Sequence, residues 1–198
     1  MNELIDKSKQ LSRKVVTALT ERVEDFDIYD VINDLEGFIE RFDVKVFYSN
    51  MDGFDFPNQI SGYSIVNSQG YPEIVINAND SLARQRFTMA HEFGHIIMHW
   101  DWLKNQSEGL DKDKYEILFR KNGFNNDYRD LKEVQANEFA AELLLPHGLL
   151  SQVIGNIEDL KSNPILFNEM KKRVAVAFNV SESFTNVQLL KIVQGEFE

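Results

Sequence analysis

The stretch QRFTMAHEFGHIIMHW, residues 85–100, places two histidines four positions apart, with a glutamate directly after the first, inside an apolar run. Four residues along an α-helix return to nearly the same face, so His91 and His95 can present both imidazoles to one ion. A catalytic zinc takes three protein ligands and keeps a fourth position for water, whose acidity rises on coordination. Glu92, one step round the helix, is placed to act on that water as a general base. Gly94 leaves room beside the histidines for another element or a substrate. The plain alternative is an ordinary buried helix with two satisfied core histidines, and a third ligand would separate the two readings.

That ligand is sought on a later helix. LKEVQANEFAAELLLP, residues 131–146, is strongly helical and stopped by Pro146. Glu133 shares its face with Ala136, Asn137, Ala140 and Leu144, small or apolar positions that can pack against another helix, so its carboxylate is expected to point inward. Glu138 and Glu142 form a like-charge pair on another face, an arrangement tolerated more easily in water than in a core. Glu133 is therefore the expected third metal ligand. Asn137, one turn on, is expected to hydrogen-bond a ligand. His99 lies one turn beyond His95, where it either donates to a ligand or sits on the buried face. His147 would either stabilise an oxyanion or lie at the surface.

The flanking sequence supplies the scaffold. Residues 3–24 carry apolar positions near the 3.6 period and predict one amphipathic helix, followed by a second over residues 28–42. VKVFYS, residues 44–49, alternates as a strand. ISGYSIVNS (60–68) and EIVINAN (73–79) flank the turn-forming QGYP and predict a β-hairpin. Asn77, Asn79 and Asp80 are plausible caps for the motif helix. The strand around Glu73 to Asn77 could offer an edge to an extended peptide. Residues 101–130 turn polar, with a possible short helix at Tyr115 to Phe119. This stretch is either a cover over the cleft or a surface excursion. Residues 147–155 predict a short helix, and a helical pair follows to the C-terminus.

Composition narrows the function. The 198 residues contain no cysteine, which excludes disulfides, thiolate metal sites and a cysteine nucleophile. Neither a secretory signal nor a membrane span is expected, so the chain reads as cytoplasmic. A net charge of -11 opposes direct nucleic-acid binding and favours a basic protein partner. The C-terminal AVAFNVSESFTNVQLLKI echoes a helix-turn-helix, but its second helix carries Glu182 and no arginine, against what DNA readers need.

FTMAHEFGHIIMH followed by EVQANEFAAELLLP resembles the ImmA/IrrE family of metallopeptidases, found in bacteria with phage-type and stress-response repressors. The resemblance covers about residues 60–146. It implies an α+β, zincin-like fold, with a small antiparallel sheet beside the HExxH helix and a mainly helical remainder. It implies zinc on His91, His95 and Glu133 in a gluzincin-like arrangement, with Glu92 as the base. The implied activity is cleavage of a helix-turn-helix repressor, which derepresses its genes. A non-proteolytic antirepressor that binds the repressor stoichiometrically is the alternative. The expected organisation is a single domain over residues 1–198: N-terminal helices (1–42), the zincin core with its insertion (43–146, insertion 101–130) and a C-terminal helical part (147–198).

Overall fold

The computed structural model describes residues 2–111, 113–119 and 131–196. Helix α1 (Asn2–Thr20) opens the chain. The second expected helix is two: α2 (Ile28–Asn33) and α3 (Leu35–Glu40). Asp34 separates them, at φ -145°, and its side chain accepts a hydrogen bond from Gly37 N, so one residue ends the first helix and caps the next. Strand β1 (Lys45–Ser49) follows, then a 3-10 turn (Pro57–Gln59), β2 (Ile60–Val66) and β3 (Pro72–Asn77). The β2–β3 pair is the antiparallel hairpin expected from the QGYP turn.

The motif helix, α4 (Leu82–His99), leads to the short α5 (Trp102–Asn105) and β4 (Tyr115–Phe119). The third-ligand helix is α6 (Leu131–Leu144). Then come α7 (His147–Ile154), α8 (Ile157–Ser162), α9 (Pro164–Ala177) and α10 (Glu182–Val193). The class is α+β, as expected.

Three expectations about the sheet need correction. The four strands run in the order β1-β3-β2-β4, and β1 pairs with β3 in parallel, so the sheet is mixed and not purely antiparallel. Residues 115–119 form a strand paired antiparallel with β2, not a helix. Because β3 lies between β1 and β2, its backbone groups are committed on both sides, and it cannot offer an edge to a peptide. The polar stretch after the motif is also no simple surface excursion. Trp102 is fully buried and donates from Nε1 to Phe42 O at 2.6 Å, while 115–119 extends the sheet. The rest of the presumed insertion, residues 120–130, lies outside the described residues.

The connection from β3 into α4 is fixed by two amides. Asn77 donates from Nδ2 to Ile60 O at 2.7 Å and accepts from Asn79 N, while Gln85 donates to the carbonyls of Asn77, Ala78 and Asp80. The N-cap residue itself is Ser81, whose side chain makes no cap bond, and not one of the residues expected. From Thr88 to Ile97 every residue of α4 is buried, which marks a central helix and not an amphipathic surface one.

Two glycines let the layers close on α4. A Cβ at Gly62 of β2 would meet Thr88 Cγ2 at 2.6 Å, and a Cβ at Gly94 would meet Phe139 Cδ1 of α6 at 3.0 Å. The sheet therefore approaches one side of α4 and α6 another. The main core gathers Leu19, Phe38, Ile74, Ile76, Phe93, Phe139 and their neighbours. A second cluster, centred on Leu150, Leu160, Val174 and Leu189 of the C-terminal helices, also takes in Ile32 of α2. Ile28, Val180 and Phe184 pack against both.

Candidate metal centre

The buried helix α4 and the adjoining α6 bring the three expected ligands to one point. Among the described residues, His91, His95 and Glu133 form a group whose candidate ligand atoms all lie within 4.8 Å of one another. His91 Nε2 and His95 Nε2 are 3.1 Å apart. Glu133 Oε1 lies 3.1 Å from His95 Nε2, and Oε2 lies 3.6 Å from His91 Nε2. Two ligands held at about 2.0–2.1 Å from a tetrahedral zinc stand about 3.3 Å from each other, so these spacings fit such an ion. The donor set also fits, because two imidazoles and one carboxylate form the usual three-ligand set of an open catalytic site.

Both imidazoles are almost wholly buried, and Glu133 is the more exposed member, with a side chain 29% accessible. The side on which Glu133 stands is thus the wetter side of the site. His91 Nδ1 faces Asn137 Oδ1 at 3.1 Å. An amide oxygen can only accept, so His91 donates from Nδ1, and its Nε2 keeps the lone pair a metal requires. Asn137, expected to hydrogen-bond a ligand, lies one turn from Glu133 on α6. His99 meets one of the expected ligands: its Nδ1 lies 3.0 Å from His95 Nδ1, and its Nε2 lies 3.0 Å from Gln135 Oε1.

Glu92, between the histidines, is completely buried. Ser64 of β2 donates from Oγ to Glu92 Oε2 at 2.6 Å. Sequence reasoning passed over Ser64 and Gln135. A signal for the serine was present: a polar side chain on the inward face of an apolar strand must find a buried partner. Gln135 had none, since helical spacing sets it off the face shared by Glu133 and Asn137.

The other two glutamates of α6 correct an expectation. Glu138 and Glu142 do not face water; they are only 4% and 9% exposed. Glu138 pairs with Arg13 of α1 at 2.9 Å and with Lys191 of α10 at 2.7 Å. Burial would raise its carboxyl, but these two cations outweigh it and hold it below the ordinary value. Glu142 accepts from His147 Nδ1 at 2.8 Å, yet burial dominates and pushes its carboxyl up. His147, 36% accessible in its side chain, is thereby tied to Glu142. On the helix that could have read DNA, Lys191 is held by Glu138.

An HExxH helix buried against a small mixed sheet, with a carboxylate supplied by the next long helix, defines a candidate metallopeptidase centre. Residues 39–190 match the family described as the IrrE N-terminal-like domain, a peptidase family, and the chain belongs to this ImmA/IrrE family. It is similar to the protein named Metallopeptidase ImmA of Bacillus subtilis (strain 168), with 27% identity over 120 residues. That match covers 61% of this chain and 57% of the relative, so the chain spans little more than half the relative's length. No helix among the described residues is long and apolar enough to cross a membrane.

Proposed function

We propose that this protein is a zinc-dependent, site-specific endopeptidase that cleaves a helix-turn-helix transcriptional repressor and so releases the genes it controls. The observation that carries the proposal is the convergence of His91 Nε2, His95 Nε2 and the Glu133 carboxylate on one point, with Glu92 beside them on α4. Membership of a peptidase family and likeness to a protein named as a metallopeptidase support the same reading. A zinc ion held by these three residues would supply Lewis acidity, polarising a scissile carbonyl and making water acidic enough to lose a proton near neutral pH.

The remaining work falls to the chain's own groups. Glu92 takes a proton from the attacking water at its carboxylate and later delivers it to the departing amine nitrogen. Ser64 holds Glu92 Oε2 and so sets the plane of that carboxylate. Asn137 keeps His91 in the tautomer that can ligate. Glu133, on the more accessible side, is the ligand nearest to arriving substrate.

The substrate class rests on charge and family. DNA-binding repressors tend to be basic, and a net charge of -11 would steer such a partner towards this surface. The test is to incubate the zinc-loaded protein with a helix-turn-helix repressor encoded beside it, comparing wild type and Glu92→Gln by intact mass. A defined cut made only by the wild type is expected. An uncut repressor that forms a stable complex with both forms would replace cleavage with stoichiometric antirepression.

A further inference from the structure

We propose that Gln135 is a positioning residue that sets, through His99, the imidazole tautomer in which His95 can ligate a metal. The inference rests on the metal-centre reading above and adds to it a control over how readily the centre loads.

The contacts form a chain with one consistent proton arrangement. Gln135 Oε1 lies 3.0 Å from His99 Nε2. A primary-amide oxygen only accepts, so His99 donates from Nε2 and its Nδ1 carries a lone pair. That lone pair faces His95 Nδ1 at 3.0 Å. His95 therefore donates from Nδ1, and its Nε2 is left bare of hydrogen where it meets Glu133 Oε1 at 3.1 Å and His91 Nε2 at 3.1 Å. A metal-ligating histidine needs this arrangement, with one ring nitrogen donating to a neighbour and the other open to the ion.

The same logic holds His91, but in one step. There the acceptor is Asn137 Oδ1, in direct contact with Nδ1. Both histidine chains thus end on a side-chain amide of α6, the helix that also carries Glu133. Reversing the Gln135 amide exposes the fragility of the longer chain. Its NH2 would then donate to His99 Nε2, His99 would carry its proton on Nδ1, and His95 would have to hold its own on Nε2, the atom a metal needs. Loading of the centre is accordingly coupled to the orientation of one amide, two residues along α6 from Glu133 and joined to His95 through His99.

The test uses the full chain and zinc alone, with affinity measured by competition against a chromogenic chelator. Gln135→Leu removes the acceptor and is expected to weaken zinc binding by about 10–100-fold. Gln135→Glu keeps an acceptor and is expected to restore wild-type affinity, a rescue that a merely space-filling role for Gln135 does not predict. Long-range 15N–1H correlation spectra of the zinc-loaded wild type read the tautomer directly and are independent of whether a variant folds. They should show His99 protonated on Nε2. Wild-type affinity in Gln135→Leu, or a His99 protonated on Nδ1, would overturn the relay while leaving the metal centre intact. A wild-type chain that takes up no zinc would overturn the metal-centre reading and the relay with it.

Discussion

Ser64 Oγ, on strand β2, donates a 2.6 Å hydrogen bond to Glu92 Oε2, on helix α4. The two residues are 28 positions apart, and neither has any exposed surface. The bond ties the sheet to the proposed general base. Ser64→Ala is expected to lower kcat for repressor cleavage by about 10–100-fold through loss of orientation. KM and zinc affinity should be unchanged, and Ser64→Thr should recover part of the loss. Equal falls in kcat and zinc affinity would show that Ser64 supports the fold of the site and not the carboxylate.

The glutamates of α6 separate a metal role from a structural one. Glu133→Ala is expected to abolish zinc uptake while leaving the thermal unfolding of the metal-free chain nearly unchanged. Glu138→Ala should do the reverse. It removes the buried carboxylate that Arg13 and Lys191 both contact and is expected to cost about 3–5 kcal/mol of stability, with zinc stoichiometry intact. Zinc titration and chemical denaturation of both variants decide the assignment. Loss of zinc in Glu138→Ala at full stability would contradict it.

Their pH dependence should also differ in sign. The Glu138 carboxyl is held below its ordinary value of 4.5, so its contribution is present above that value and is lost as pH falls through the depressed one. The stability gap between wild type and Glu138→Gln should therefore be widest at neutral pH and close on acidification below 4.5. The Glu142 carboxyl is raised by burial, so its ionised form opposes folding at neutral pH, and this penalty is relieved as pH falls. Denaturant titrations of both glutamine variants across pH 3–7, roughly the carboxylate range, measure the two slopes.

The packing of α6 on α4 depends on Gly94. Gly94→Ala would place a Cβ 3.0 Å from Phe139 Cδ1 and 3.2 Å from its Cβ. Overpacking of this kind costs about 1–3 kcal/mol, which should outweigh the gain of up to about 1 kcal/mol from alanine's helical preference. A lower melting temperature and weaker zinc binding are expected together, because Glu133 rides on the helix that is pushed away. A raised melting temperature would show that α6 yields without cost.

How far the sequence could be read followed from the range of each interaction. The helix of His91 and His95, the helix of Glu133 and the hairpin around QGYP are set by spacing and turn chemistry within a few residues, and all three were legible. The break at Asp34 was local too, but a periodic apolar stripe running through it hid the change of helix. Tyr115 to Phe119 is five residues long, too short for period to distinguish a strand from a helix, and its pairing with β2 decided the matter. The parallel pairing of β1 with β3 has no turn to announce it. Glu138 reads as solvent-facing from the sequence because its partners, Arg13 and Lys191, are 125 and 53 positions away. The residues proposed as ligands stand out in the sequence because a metal imposes a spacing; Ser64 and Gln135 do not, since a hydrogen bond across elements imposes none.

The most direct measurement is anomalous diffraction at the zinc edge from crystals of the zinc-loaded chain. One strong peak bounded by His91 Nε2, His95 Nε2 and the Glu133 carboxylate is predicted. The same peak should vanish in Glu133→Ala. No peak at that point in the wild type, or a zinc held by other residues, would contradict the metal centre and the peptidase mechanism built on it.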